Sequence, residues 1–188
     1  KGMFWNTRAD DLVVKAMIGL LERNPAVPKD RIDEVAIAAT TQQGDQGLTL
    51  GRTAALLAGL PKSVPGFAID RMCAGAMTSV TTLAGGIGIG MYDLAIAGGV
   101  EHMGRHPLGI GADPNPRFLT EKLVSADALN MGVTAERIHG RFPHLTKERA
   151  DRFGMLSQHK VQAAYDAGLI QPDLVPVGGA APPVDLDL

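Results

Sequence analysis

One cysteine stands in 188 residues. An internal disulfide is therefore excluded, and so is a zinc site built on a cysteine cluster. Such sparing cysteine use fits a reducing compartment, and a cytoplasmic location is expected. Aromatic residues are also scarce, at 4%. The core must be built from Ala, Val, Leu, Ile and Met, drawn close through 23 glycines. Excess charge is missing too. A net charge of −2 leaves no basic surface for nucleic acid and no polybasic membrane patch.

Long apolar runs are nearly absent. Met72 to Tyr92 has no charged residue and is long enough to span a bilayer, yet it is rich in Gly, Ser, Thr and Ala. Gly85, Gly86 and Gly88 would break a spanning helix, so this stretch reads as a helix buried inside a globular protein rather than a transmembrane segment. No secretory signal is read ahead of the first helix, and the start at Lys1-Gly2-Met3 fits a trimmed chain. Repeats of solenoid period and a P-loop are missing. Gly85-Gly86-Ile87-Gly88-Ile89-Gly90 imitates a dinucleotide loop but has the wrong spacing and precedes a strand. Glu101-His102 with His106 could be drawn as a metal group, but the H-E-x-x-H order is absent and no metal is expected. His102 and His106 read as solvated or loop histidines, as do His139, His144 and His159.

Regular elements can be read from periodicity. Asp10 to Asn24 is helical, with Leu12, Val13, Ala16, Met17, Leu20 and Leu21 on one face. Glu34 to Thr40 is a strand, 42–47 a polar loop, and Leu50 to Ala58 a helix closed by Gly59 and Pro61. Phe67 to Asp70 is a strand, Ala74 to Gly86 the buried helix, and Leu94 to Val100 an apolar strand covered on both faces. Strands alternating with helices give an α/β class. From His106 to Asn130 the periodicity weakens into an inserted loop region. Met131 to His139 is a short helix. Thr146 caps a long helix to Ala167 whose inner stripe is Ala150, Phe153, Ser157, Val161 and Ala164. Leu174 to Val177 opens a strand, and 178–188 is an irregular Gly/Pro-rich tail.

The lone cysteine sits where a nucleophile would be built. Asp70-Arg71-Met72-Cys73-Ala74-Gly75 is a turn between a strand and a helix that opens at Cys73. A thiol there feels the positive end of the helix dipole and unpaired N–H groups, both of which favour thiolate. The competing reading is a buried structural cysteine that acts as a small hydrophobe.

Several stretches agree on a family. Asp70 to Met77 resembles the nucleophile segment of thiolases. Gly90 to Met103, ending Gly98-Gly99-Val100-Glu101-His102-Met103, is similar to the helix–strand stretch of that family. Asn130-Met131-Gly132-Val133-Thr134-Ala135-Glu136 is similar to a further family element, as are Gly44 to Pro61 and the long helix down to Leu174–Val177. The resemblance runs from Lys1 to about Val177, and is in particular to the thiolase subunit of the bacterial fatty-acid oxidation complex.

The resemblance implies a layered α/β/α thiolase-like fold, here its N-terminal half with a mixed central sheet. It implies a core over 1–103, an inserted loop region over 104–145 and a return to the core over 146–177. It implies thiolytic cleavage of 3-ketoacyl-CoA by CoA, with Cys73 as the acyl-thioester nucleophile and Met131 lining the acyl pocket. Met131 as a plain core residue is the alternative. CoA would be co-substrate, with no cofactor. A homodimer or tetramer is expected, with a hydratase/dehydrogenase subunit as a further partner. Asp70 stands where the family usually has Asn, and Gly75 where it has Ser. The negative charge of Asp70 would oppose thiolate if close, unless it pairs with Arg71 or another base. The activating histidine in Gly-His-Pro, the second cysteine and the opening strand of the family are absent from these residues. That implies a fragment or truncated form, with an apolar face exposed unless it dimerises. A β-ketoacyl synthase-like condensing enzyme and a non-catalytic thiolase-fold module are the other readings.

Overall fold

The computed structural model describes residues 2–178. The described residues divide into two compact units, 2–111 with 175–178, and 112–174. Of the tail read as irregular, only Gly178 lies within the described residues.

The first unit is the layered α/β body. Its elements are α1 (Ala9–Arg23), β1 (Glu34–Ala38), α2 (Leu50–Leu57), β2 (Gly66–Ile69), α3 (Gly75–Gly88) and β3 (Ala95–Gly99). The sheet order is β2-β1-β3. Both pairings are parallel, with Val35 opposite Gly66 on one side and Ile96 on the other. All three described strands are thus parallel; the antiparallel member of a mixed sheet is not among them. Alternation along β1 separates the layers. Val35 and Ile37 pack with α1 and α2 in a cluster that includes Val13, Val14, Met17, Leu21, Leu50, Ala54 and Ile96. The alternate positions, Ala36 and Ala38, are small, and Ala38 faces α3: a Cβ on Gly75 would stand 2.8 Å from the Cβ of Ala38.

Close approach is also enforced on the other layer. A Cβ on Gly51 would come within 2.2 Å of the Phe67 carbonyl oxygen, and one on Gly66 within 2.6 Å of the Arg52 nitrogen. Helix α2 therefore lies against β2 through two glycines that only a missing side chain allows. On α1 the buried face is turned from the expected one. Val14 is buried, while Ala16 and Leu20 are exposed. Gly19 receives the side chain of Val175, whose Cγ2 would be 2.5 Å from an added Cβ.

Helix α3 differs from the fully buried helix expected of it. Only Gly75, Ser79, Leu83 and Gly86 are buried, a single narrow stripe, while Met77, Val80 and Ile87 are exposed. No helix among the described residues is long and apolar enough to cross a membrane.

The second unit holds α4 (Arg117–Thr120), α5 (Met131–Arg141) and α6 (Lys147–Asp166). Short helices thus form inside the region read as loop. Asn130 caps α5 by accepting from the N–H groups of Gly132 and Val133 at 3.0 and 3.2 Å. Thr146 caps α6, as its position implied. No residue of α6 is buried within the described structure, and Phe153 of the expected stripe is 77% exposed. Leu174–Val177 does not form the expected strand; a 3₁₀ turn at Gln171–Asp173 precedes it, and only an isolated bridge occurs at Val177. Pro176 lacks the N–H that a ladder would need there.

Candidate active site

All three strands of the first unit run the same way, so their carboxyl ends meet along one edge. The chain leaves β1 for β2 on one side and returns to β3 on the other. A crevice at such a reversal, outside the carboxyl ends, is the favoured binding place of an open α/β sheet. A cavity of about 370 Å³ opens there. It is lined by Thr40 and Thr41 after β1, Met72 and Cys73 after β2, and Glu101, Met103 and His106 after β3.

Cys73 lies in a 3₁₀ turn, Met72–Ala74, that runs directly into α3. The thiol is exposed, which sets aside the buried structural reading. The turn is strained: Met72 has φ of 48°, a left-handed value uncommon for a residue with a side chain. Asp70 supports it, since its Oδ1 accepts from the Met72 N–H at 2.9 Å. That bond gives Asp70 a partner in the backbone rather than in Arg71. The Ala74 N–H is taken by the Arg71 carbonyl at 3.1 Å. Among the described residues no protein acceptor engages the Cys73 N–H. A free donor beside the sulfur is what a developing oxyanion requires. The absence of a side chain at Gly75 also has a structural counterpart, because Ala38 occupies the space a β-carbon would need.

A buried polar network holds the rim. Gln46 is fully buried, in the segment read as a polar loop. Its Nε2 donates to the Thr41 carbonyl and to Glu101 Oε1, each at 2.9 Å, and its Oε1 accepts from the His102 N–H at 2.7 Å. Glu101 Oε2 accepts from the Thr40 N–H at 2.7 Å. Burial opposes ionisation of Glu101, but hydrogen bonds from Gln46, Thr40 and Thr41 outweigh it and hold the carboxyl below its usual value. Both oxygens are committed, so Glu101 joins the ends of β1 and β3 rather than moving protons.

Asp45 makes a second knot. It accepts from the Ala9 N–H at 3.1 Å and from Arg105 Nε at 3.0 Å, and meets His106 Nε2. Burial again pushes its carboxyl up, and His106, Ala9 and Arg105 more than reverse this. His102 is buried with Nε2 on the Phe4 carbonyl at 2.8 Å. His102 and His106 are therefore not solvated loop side chains. Their partners lie 98 and 61 residues away, beyond the reach of any local pattern. Among the described residues no group of three or more His, Cys, Asp or Glu side chains could hold a metal. Met131 opens α5 in the second unit, where its side chain is exposed.

The profile of the thiolase N-terminal domain matches residues 1–182. This chain belongs to the thiolase family. Among curated relatives, the 3-ketoacyl-CoA thiolase of Pseudoalteromonas translucida is 38% identical over 183 residues, 96% of this chain and 46% of that protein. The 3-ketoacyl-CoA thiolase of Aliivibrio salmonicida is 36% identical over 94% of the chain and 45% of its own length. That of Salmonella typhimurium is 35% identical over 95% and 45%. The chain thus spans about half the length of the curated thiolases it matches. The α/β fold and the thiolase resemblance read from the sequence both hold. Asp45, Gln46 and the histidines carried no expected role, although Gly44–Gly47 was among the stretches that resembled the family.

Proposed function

We propose that this chain carries the nucleophile of an enzyme that cleaves 3-ketoacyl-CoA with free CoA. The observation that supports it best is an exposed thiol, Cys73, at a helix start inside a cavity at the carboxyl ends of three parallel strands. In this reading the Cys73 thiolate adds to the 3-keto carbon, and the oxyanion takes the Cys73 N–H. Collapse breaks the bond between C2 and C3. The electron pair goes to C2, which is protonated to give acetyl-CoA, and the acyl group stays on sulfur as a thioester. A CoA thiolate then displaces the sulfur and leaves as the shortened acyl-CoA. The family resemblance gives the C2 proton to a second cysteine, which these residues do not include.

On the same footing Met131 borders the acyl chain, the enzyme is a cytoplasmic homodimer or tetramer, and a hydratase/dehydrogenase subunit is a partner. The core over 1–103, the inserted region over 104–145 and the return to the core over 146–177 make up the N-terminal half of the intact enzyme.

The test is intact-mass analysis after incubation with acetoacetyl-CoA, with Cys73→Ala in parallel. An acetyl adduct on the wild type that is missing from Cys73→Ala is expected. An adduct at equal level on Cys73→Ala overturns the reading.

A further inference from the structure

The peptide unit between Met72 and Cys73 has one end bonded and one end free. Its carbonyl, from Met72, accepts the N–H of Gly75. Its N–H, from Cys73, meets no protein acceptor among the described residues. The torsions of Met72 orient this peptide plane, and so they set where the Cys73 N–H points. Met72 has φ of 48°. A residue with a side chain avoids that region, and its ordinary helical value is about −63°. A change from one to the other would swing the plane, and the Cys73 N–H with it, through roughly 110°.

Asp70 supplies the bond that holds the unusual value. Its Oδ1 accepts the Met72 N–H at 2.9 Å, closing a turn from side chain to backbone two residues on. The next N–H but one, from Ala74, is taken by the Arg71 carbonyl at 3.1 Å. Two bonds therefore flank the Cys73 N–H and leave it alone as the available donor. Asp70 is itself exposed, and among the described residues its side chain makes no other hydrogen bond. The carboxylate thus serves this turn and no other part of the fold.

We propose that Asp70 is a positioning residue for the reaction: by holding Met72 left-handed it aims the Cys73 N–H at the oxygen that turns negative when the sulfur adds to a carbonyl. The inference rests on the proposed function in taking Cys73 as the nucleophile and its N–H as the oxyanion donor. Asp70 acts through the backbone, not by contact with substrate. In the step it serves, the thiolate pair forms the C–S bond and the carbonyl π pair moves onto oxygen, which accepts from the Cys73 N–H. The pair returns to carbon as the leaving group departs. A donor aimed in advance needs no reorganisation when that charge develops. The amide oxygen of Asn, usual in the family at this position, can accept the same bond. The requirement is for a short side chain with an acceptor, and the charge is incidental to it.

The experiment compares two reactions of Cys73 on the full 188-residue chain. Acetylation by p-nitrophenyl acetate passes through an oxyanion: the sulfur adds to the ester carbonyl, p-nitrophenolate leaves, and a thioester remains. Alkylation by iodoacetamide displaces iodide at a saturated carbon and forms no oxyanion. Both rates are read by intact mass at about pH 8 in about 1 M salt, with Cys73→Ala as the blank. The thiolate fraction enters both rates alike, so the ratio of acetylation to alkylation reports the oxyanion donor. A merely structural role would move both rates together and leave the ratio unchanged. Removal of an oxyanion donor costs about 10²–10³-fold, and one misaimed donor in an open cavity less, so Asp70→Ala is expected to lower the ratio about tenfold. Asp70→Asn keeps the acceptor and should stay within about twofold of the wild type. Asp70→Glu keeps the charge but sets its oxygens one carbon further out, and should fall with Asp70→Ala.

A wild-type ratio in Asp70→Ala overturns the proposal. So does a fall in Asp70→Asn as deep as that in Asp70→Ala, which would make the charge the cause. Should Asp70→Ala unfold by circular dichroism, Asp70→Glu decides: a lowered ratio supports the proposal, and an unchanged one overturns it. p-Nitrophenyl acetate carries no CoA, so the two readings separate. An acetyl adduct from acetoacetyl-CoA on Cys73, with a ratio indifferent to Asp70, removes this inference alone. An Asp70-dependent ratio, with an equal acetoacetyl-CoA adduct on Cys73→Ala, removes the thiolytic reading alone.

Discussion

Replacing Gly51 by Ala should destabilise the fold, although the same change in an open helix stabilises it. The added methyl would meet the Phe67 carbonyl oxygen at 2.2 Å and the Val35 carbonyl oxygen at 2.5 Å. Both are backbone atoms of the sheet, and neither can rotate away. To reach an ordinary carbon–oxygen contact, α2 must withdraw by about 1 Å. A gap of that size forfeits a quarter to a half of each dispersion contact along the interface. Leu50, Ala54 and Ala55 are buried on that face and would lose contact together. Overpacking of this kind costs about 1–3 kcal/mol, and the rigidity of the neighbours puts it at the upper end. Alanine returns at most about 1 kcal/mol through helix propensity, less in a first turn. The net effect is a loss of about 2 kcal/mol, which lowers Tm by about 4–8 °C in a chain of this size. Gly85 in α3 is the control, since nothing lies within 4 Å of its added Cβ. Gly85→Ala should gain about 0.5–1 kcal/mol. Thermal unfolding followed by circular dichroism compares the two. If Gly51→Ala melts at or above the wild type, the interlock of α2 on the sheet is wrong.

Three further outcomes follow from the rim of the cavity. Gln46→Ala leaves the His102 N–H without its acceptor and removes the donor to Thr41 and Glu101; a loss of about 2–3 kcal/mol in urea unfolding is expected, and a change under 0.5 kcal/mol would argue against the network. The carboxyls of Asp45 and Glu101 are both held below their usual values in the folded state. Their contribution is therefore present above about pH 4 and is lost as pH falls through the lower folded values. Asp45→Asn should flatten the acid limb of a stability–pH curve; an unchanged limb would show that Asp45 is not one of its sources. Asp70→Asn keeps the acceptor for the Met72 N–H while removing a negative charge three residues before the cysteine. It should preserve the turn and raise the alkylation rate of Cys73 at low ionic strength, an increase that salt diminishes; a lower rate would contradict this.

What could be read from the sequence was what depends on neighbours in sequence. The apolar run at Ala95–Gly99, the turn before Cys73 and the Thr146 cap each follow from a few adjacent residues, and each falls within a residue or two of its expected place. What could not be read depends on distant partners. Gln46 stood in a polar stretch, and nothing beside it announces that it would be enclosed and shared among Thr41, Glu101 and His102. Gly51 and Gly66 read only as a helix residue and a strand edge, because their meaning lies in the contact between them. Helix α3 misled through composition. A segment without charges suggested burial on all sides, but its buried stripe is only as wide as four small or apolar residues make it. The cysteine was legible as a nucleophile candidate from the turn and the family pattern, whereas Asp45 and His106 become neighbours only when the strands align.

The central place of β1 also sets an order of events in time. Glu34–Ala38 is made first, yet it needs Gly66–Ile69 on one side and Ala95–Gly99 on the other before it is covered. Chains fold as they are synthesised, from the amino end, and pairings distant in sequence come late. The β1–β2 half of the sheet and the Cys73 turn need only the chain up to α3. The wall that carries Glu101 and His106 arrives only after β3. The cavity beside the Cys73 thiol is therefore complete only once β3 and the chain that follows it are in place.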